Sequence, residues 1–382
     1  MNILFLVFHG FSPHSGISKK IHSQVEGLRE SGHHVSVCHY RIAANGHRQR
    51  MVDEEVIADY GVGKLAALRQ RLSYGSVYRW CRDHQVEMVY ARSFMNASPS
   101  LISLFSKLRK TGIRSVMEVP TYPYDAEFEG FPLTQRLGLM VDQLFRGRLA
   151  RELEAIVTFS EEQVIFGQRT IRISNGVDFS AIPLHQSPVL TPCSPVHLIG
   201  VAEVHYWHGY DRLIAGLGEY YLHGGDTCRP VYFHIVGGVG ESEMMPSRHT
   251  QGFAPLIARY HLEDKVIFHG QLFGDSLTEV FNTCSFAIGS LARHRSGITQ
   301  IKTLKNREYA TRGLPFIYSE QDADFDHQPY ILKASPDERP VDIQAILTFL
   351  DHFQLSPERI RATVTHLSWK NQMNEVVKGL RR

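Results

Sequence analysis

The sequence predicts an α/β protein built from two doubly wound parallel sheets in tandem, and three observations point there. Short apolar runs bounded by turn residues alternate with amphipathic stretches along the chain, the pattern of strands crossing to helices and back. The alternation stops once, in a polar, proline-bearing stretch from Asn175-Gly176 to Pro195, and then restarts. The length of 382 residues also exceeds what one core comfortably fills.

In the first half, strands are expected at 3–8, 34–39, 88–91, 115–119 and 155–159. Helices at 20–31, 63–84, 99–111 and 133–153 lie between them. The opening "MNILFLVF" reads as the first buried strand: it lacks a basic leader and a cleavage site, and is too short to span a bilayer. In the second half, strands are expected at 196–201, 231–236, 266–269, 286–290 and 315–319, with helices at 210–221, 253–260, 277–283 and 299–311. The domains expected are 1–174 and 175–364, and the amphipathic C-terminal segment, about 365–382, either completes the first domain or finishes the second. Ligands of such sheets sit outside the carboxyl ends of the strands.

Composition narrows the function. The chain is 43% hydrophobic and 21% charged with a formal net charge of +2, which gives no overall electrostatic argument for nucleic-acid binding. Five widely spaced cysteines, with no C-x-x-C, suggest neither a zinc site nor a disulfide framework and fit a reducing cytoplasm. The 21 histidines show no H-x-x-x-H pair with a flanking carboxylate, so no metal site is expected.

Three strand-to-helix loops carry the candidate chemistry. In "HGFSPHSGISKKIH", Gly16 opens a helix whose positive end suits an anion, although a tight turn would use the same glycine. In "FHIVGGVGESE", Gly237 and Gly238 follow a strand directly and either admit close approach of a ligand or make a flexible turn; Glu243 stands where a dinucleotide fingerprint needs glycine. In "FAIGSLARHRSGITQIK", Arg293 and Arg295 flank Ser296-Gly297-Ile298-Thr299, expected to start a helix and bind a diphosphate. Lys302, Lys305 and Glu308 follow on that helix, with Glu308 roughly 13 Å along it, a distance suited to gripping sugar hydroxyls. A surface ion pair between Lys305 and Glu308 is the plainer alternative.

The motifs "GHHVSV", "MEVPTYPYD", "IVTFS", "ISNGVDF", "WHGYDRLIAGL", "IVGGVGE", "GSLARHRSGI" and "LKNREYATRGLPFIYS" run in order over nearly the whole chain. In them the sequence resembles GT-B glycosyltransferases of the retaining family 4, more narrowly bacterial members of capsular or exopolysaccharide assembly. The resemblance implies two Rossmann-like domains facing across a cleft and metal-independent sugar transfer, from a nucleotide-sugar held by the second domain to an acceptor held by the first. The second glutamate of the family's E-x7-E pattern falls on Glu308 and the first on Gln300, which cannot supply negative charge. The family's arginine and lysine beside the diphosphate fall on Ala202 and His208, so Arg212, Arg293, Lys302 or Lys305 is expected to take their place. Glu118 and Tyr122 join Glu308 and Gln300 as catalytic candidates; Gly16, Gly237, Gly238 and Gln271 join the donor site; Arg92, Tyr124 and Asp125 are expected on the acceptor side.

No cofactor is implied, since the nucleotide-sugar is a substrate, with UDP and GDP the leading nucleotides. Expected partners are that donor and a glycan or lipid-linked glycan acceptor, with no nucleic acid. The segment "LTQRLGLMVDQLFRGRLAREL" alternates apolar residues with Arg136, Arg146, Arg148 and Arg151. It is either a core-facing helix with a solvated arginine face or a peripheral contact with an anionic membrane. The expected location is the cytoplasm, including the inner face of the cell membrane. Two other readings stay open: an epimerase or hydrolase of nucleotide-sugars on the same fold, and an inactive homologue that serves as a binding partner.

Overall fold

A computed structural model of the protein describes residues 1–12, 15–92, 95–125, 133–186, 188, 190–224 and 229–380, the side chains of 133–135 excepted. Met1–Gly176 with Ser368–Arg382 form one compact unit and Val177–Leu367 another.

The first unit runs β1 (Asn2–Val7), α1 (Gly16–Glu30), β2 (His34–Ile42), β3 (Arg48–Val52), β4 (Glu55–Asp59), α2 (Gly63–Leu72), α3 (Gly75–Asp83) and β5 (Met88–Arg92). It continues with α4 (Pro99–Lys110), β6 (Arg114–Val119), α5 (Leu133–Ala150), β7 (Ala155–Thr158), β8 (Val164–Ile165) and β9 (Gln168–Arg172). Its sheet has the order β4-β3-β2-β1-β5-β6-β7-β9-β8, with β2, β1, β5, β6, β7 and β9 parallel. Apolar layers cover both faces, which is why β1 and β5 read as almost unbroken apolar runs.

Two expectations are corrected here. The span 48–59 forms the antiparallel hairpin β3–β4, with Asp53 in a left-handed conformation (φ 49°) at its turn. The helix expected at 63–84 is two helices. Fully buried Arg50 of β3 donates to the carbonyls of Gln70 at 2.5 Å and Ser73 at 2.7 Å, consuming acceptors at the end of α2 so that the chain turns before α3.

The second unit runs β10 (Val196–Val201), α6 (Tyr210–Gly224), β11 (Val231–Val236), α7 (Glu241–Met244), α8 (Phe253–Tyr260), β12 (Val266–Gly270), α9 (Gly274–Thr283) and β13 (Phe286–Ile288). Then come α10 (Leu304–Arg312), β14 (Phe316–Tyr318), β15 (Ile331–Lys333), α11 (Ile343–His352) and α12 (Pro357–Thr363). Its sheet is parallel, in the order β12-β11-β10-β13-β14-β15, and again has an apolar layer on each face.

The helix expected at 299–311 starts only at Leu304. Residues 299–301 are instead extended: Gln321 N–H donates to the Thr299 carbonyl at 2.8 Å, and Ile301 N–H donates to that of Gln321 at 3.1 Å. Glu308 is therefore the fifth residue of its helix, and Gly297 ends a short 3-10 turn at Arg293–Ser296 rather than opening the helix.

The C-terminal helix α13 (Trp369–Gly379) packs on α1 of the first unit. Trp369 fixes it there: a Cβ on Gly27 would lie 2.6 Å from the Trp369 backbone, and one on Gly176 would lie 2.3 Å from the indole. Among the described residues, no helix is long and apolar enough to cross a membrane.

Candidate active site

The carboxyl ends of β10, β13 and β14 lie side by side in the second sheet, and the loop after each supplies a polar group. The loop after β10 brings His208, that after β13 brings Arg293, and that after β14 brings Glu320, while α10 contributes Lys305. Tyr309 locks α10 to this edge, accepting from Val201 N–H at 3.0 Å and donating to the Ile288 carbonyl at 3.1 Å. Arg307, fully buried, pairs with both oxygens of Asp322 at 2.6 and 3.0 Å and also meets Asp324, fixing the loop beyond Glu320.

His208 is buried, and its Nδ1 accepts from His205 N–H at 2.9 Å, which places the ring proton on Nε2. Burial, then the positive charges of Lys305 and Arg293, push its pKa well below the ordinary value. It offers a neutral donor where the family resemblance would put a lysine. Lys305 Nζ is buried without a protein hydrogen-bond partner, and its pKa is lowered by burial and by Arg293. Glu320 is 2% exposed, neither carboxylate oxygen meets a protein donor, and burial raises its pKa. The hydroxyls of Tyr210, Ser290 and Thr303 and the amide of Asn306 are likewise buried without protein partners. Buried polar atoms are nearly always paired in folded proteins, so this concentration marks a place built to meet a polar ligand or water.

Glu308 sits 30% exposed on α10, with Oε1 bonded to Arg312 Nη2 at 3.0 Å and Nε at 3.1 Å. The alternative of an ion pair with Lys305 does not form: Arg312 holds the carboxylate one turn further on. Gln300 is exposed and donates to Gln321 Oε1 at 2.9 Å. Ser296 Oγ bonds the Arg293 carbonyl at 2.9 Å, Ile298 and Lys302 are half-buried, and Gly297 and Thr299 are exposed.

Arg212 is placed elsewhere than expected. It is 4% exposed and donates to the carbonyls of Leu291, Ser335 and Arg339 and to Asp337, so four of its five N–H groups are spent inside the protein and it acts as a structural anchor. Gly237 also has a packing reason: at φ 125° a Cβ would lie 1.8 Å from the Ala202 carbonyl oxygen. Gly238 leaves room for a backbone approach, its nearest neighbour on that side being Gln271 Nε2 at 3.8 Å.

In the first unit, Glu118 at the end of β6 is fully buried and crowded with donors. Gln24 Nε2 and Tyr90 Oη each reach it at 2.6 Å, Arg92 Nε at 3.1 Å and Lys20 Nζ at 3.8 Å. Burial raises its pKa, but Lys20, Arg92 and these hydrogen bonds outweigh that and hold it below the usual carboxylate range. Glu118 is therefore a hub that orients Lys20 and Arg92, with no face open to a substrate. Tyr124 donates to Asp142 at 2.5 Å, and Asp125 forms a two-point pair with Arg146 at 2.7 and 3.0 Å. Tyr122 is half-buried, edge-on to Phe166. Gly16 is the first residue of α1, and a Cβ there would meet nothing within 4 Å.

On α5, Leu137, Met140, Val141 and Leu144 are 46–70% exposed, and Arg136, Arg148 and Arg151 beside them are exposed as well. Of the two alternatives read from the sequence, a wholly core-facing apolar stripe does not form: Phe145 and Leu149 pack inward, and the next stripe round the helix faces out. The Leu133 side chain lies outside the described residues.

Sequence reasoning missed Glu320, and it placed Lys20 beside the helix start at Gly16 without foreseeing its pairing with Glu118. An acid directly after the buried run "PFIYS" was the available signal for the first, since strand ends of this sheet type face ligands.

No family model matches the chain, and no curated protein matches it. Solved structures match its fold from end to end. A sucrose-phosphate synthase (tll1590) from Thermosynechococcus elongatus is 14% identical, with 100% of this chain and 98% of that chain covered and a TM-score of 0.65. The structure described as trehalose-6-phosphate from E. coli bound with UDP-2-fluoro glucose is 12% identical, with 100% and 99% covered and a TM-score of 0.57. AviGT4, a glycosyltransferase involved in Avilamycin A biosynthesis, is 14% identical, with 100% and 97% covered and a TM-score of 0.53. At these identities the likeness is one of fold, and the fold is GT-B, made of two Rossmann-like units.

Proposed function

We propose that the protein is a retaining, metal-independent glycosyltransferase of family 4, moving a sugar from a nucleotide-sugar to an acceptor hydroxyl in surface polysaccharide or glycolipid assembly. The observation that carries this reading is the convergence of His208, Arg293 and Lys305 on the carboxyl edge of the second sheet, with Glu308 one turn beyond Lys305 on α10. A solved structure of this fold described as bound with UDP-2-fluoro glucose supports a nucleotide-sugar as donor.

In this reading Lys305 and Arg293 neutralise the charge that grows on the departing diphosphate, and His208 Nε2–H adds a neutral donor. These three take the part of the missing arginine and lysine. Glu308 offers its second oxygen to ribose hydroxyls while Arg312 holds the first. Gln300 hydrogen-bonds the sugar, and the acceptor hydroxyl attacks from the face the diphosphate leaves, passing its proton to a phosphate oxygen. The first unit presents the acceptor. The exposed apolar and arginine face of α5 supports peripheral binding to an anionic membrane, the setting of a lipid-linked acceptor.

Gln300 favours one rival, an inactive homologue acting as a binding partner, because an amide paired to Gln321 cannot steady an oxocarbenium ion by charge. Incubation of nucleotide-sugars with membrane-extracted acceptors separates the readings. Transfer of label by wild type and its loss in Glu308→Ala supports the transferase, and donor consumption without acceptor supports a hydrolase or epimerase. No turnover with any donor leaves the partner role.

A further inference from the structure

Glu320 follows β14 with only Ser319 between, and its carboxylate is buried on the same edge as Lys305 and Arg293. Neither Glu320 oxygen nor Lys305 Nζ has a protein hydrogen-bond partner, although each charge, taken out of water unpaired, costs several kcal/mol. Each feels the other and Arg293 electrostatically. The remaining charged and titratable neighbours are committed. Asp322 is held by Arg307, Tyr318 donates to Asp326 at 2.6 Å, and Lys333 is bonded to the Glu320 carbonyl and to Asp326. His208 is neutral, and the buried Tyr210 hydroxyl stays protonated.

An anion set against Lys305 and Arg293 gives the ammonium the acceptor it lacks. The same anion opposes an ionised Glu320, which is coupled electrostatically to both of those cations. One change removes the conflict: a proton from solvent adds to a Glu320 oxygen, turning a repelled acceptor into an O–H donor toward the anion, with no other bond made or broken.

We propose that Glu320 is the proton-carrying member of this nest, so that the diphosphate of a nucleotide-sugar enters against Lys305 and Arg293 together with one proton that settles on the Glu320 carboxylate. The inference rests on reading this edge as the donor site, and it adds a group that the family pattern leaves unassigned. Burial and the raised affinity of Glu320 for protons support it.

Titration calorimetry with UDP-glucose, GDP-mannose and ADP-glucose tests it, because their diphosphates do not titrate near neutrality. Run at about pH 8 in two buffers of different ionisation enthalpy, wild type is expected to take up about one proton per donor bound. Its affinity should weaken by up to about tenfold per pH unit above neutrality. Glu320→Gln, which keeps the shape of the protonated acid, is expected to bind at least as tightly with less than half the uptake. Lys305→Met should bind at least tenfold more weakly. Donor binding without proton uptake, or equal uptake in Glu320→Gln, overturns the inference and leaves the donor site standing. If none of the three donors binds, the donor-site reading falls and the inference with it.

Discussion

Arg312 holds Glu308 by one oxygen: both of its contacts, at 3.0 and 3.1 Å, fall on Oε1, and the guanidinium lies 4.0 Å from the Phe281 ring centre. The pair orients a 30% exposed carboxylate toward use by a ligand. Arg312 itself is only 5% exposed, so removing the carboxylate leaves a buried guanidinium without its ion-pair partner. Glu308→Ala should lose more than about a hundredfold in turnover, or about 2.7 kcal/mol of transition-state stabilisation, and also lower the melting temperature, whereas Glu308→Gln, which keeps an oxygen for Arg312, should lose turnover with the smaller loss of stability. Steady-state kinetics beside a melting curve checks both halves.

Glu118 gives the opposite pattern. Its carboxylate is fully buried among Lys20, Gln24, Tyr90 and Arg92, and removing its charge strands two cations. Glu118→Gln should destabilise by about 3–5 kcal/mol, measured by urea unfolding. Wild-type stability in the variant would mean that the cluster is hydrated rather than sealed.

His197, His234 and His269 form a row across β10, β11 and β12, with ring nitrogens 2.8 Å apart at each step. Burial, then its two histidine neighbours, holds the His234 pKa down to about 4, and burial lowers the other two. The folded state keeps these rings neutral while the unfolded chain protonates near 6.5, so their contribution is complete above that pH and is lost as pH falls toward 4. Melting temperature should drop through this window, and His234→Leu should flatten the drop.

The α5 face should bind vesicles containing phosphatidylglycerol and not neutral ones. Replacing Met140 and Leu144, 63% and 70% exposed, by glutamate should abolish co-sedimentation and leave the melting curve unchanged. Binding to neutral vesicles with equal strength would remove the role of the arginines.

The fold was legible because parallel strands buried on both faces announce themselves as short apolar runs between helical patterns. The hairpin of β3 and β4 hid behind its charges: in "RQRMVDEEVIAD" the apolar residues fall in two short blocks, Met51-Val52 and Val56-Ile57-Ala58, between charged residues, without the alternation that announces a strand. The start of α10 was misread for a related reason. Thr299, Ile301 and Thr303 alternate β-branched residues, a strand signal, inside a stretch whose other residues favour helix. Within the site, the sequence pointed to Arg293, Lys305 and Glu308 by motif position. It could not show that Arg212 is spent on backbone carbonyls or that Glu118 is sealed, because both facts depend on contacts between segments far apart in the chain.

In the proposed function the second unit holds a nucleotide-sugar through its diphosphate and through Glu308. The most direct test is melting temperature against UDP, GDP, ADP and CMP for wild type and Glu308→Ala. A nucleotide at about a hundred times its dissociation constant adds about 2.7 kcal/mol, a shift of several degrees. One nucleotide should stabilise wild type and lose most of that effect in the variant; no shift with any of the four, in a folded protein, would rule out nucleotide binding at this site.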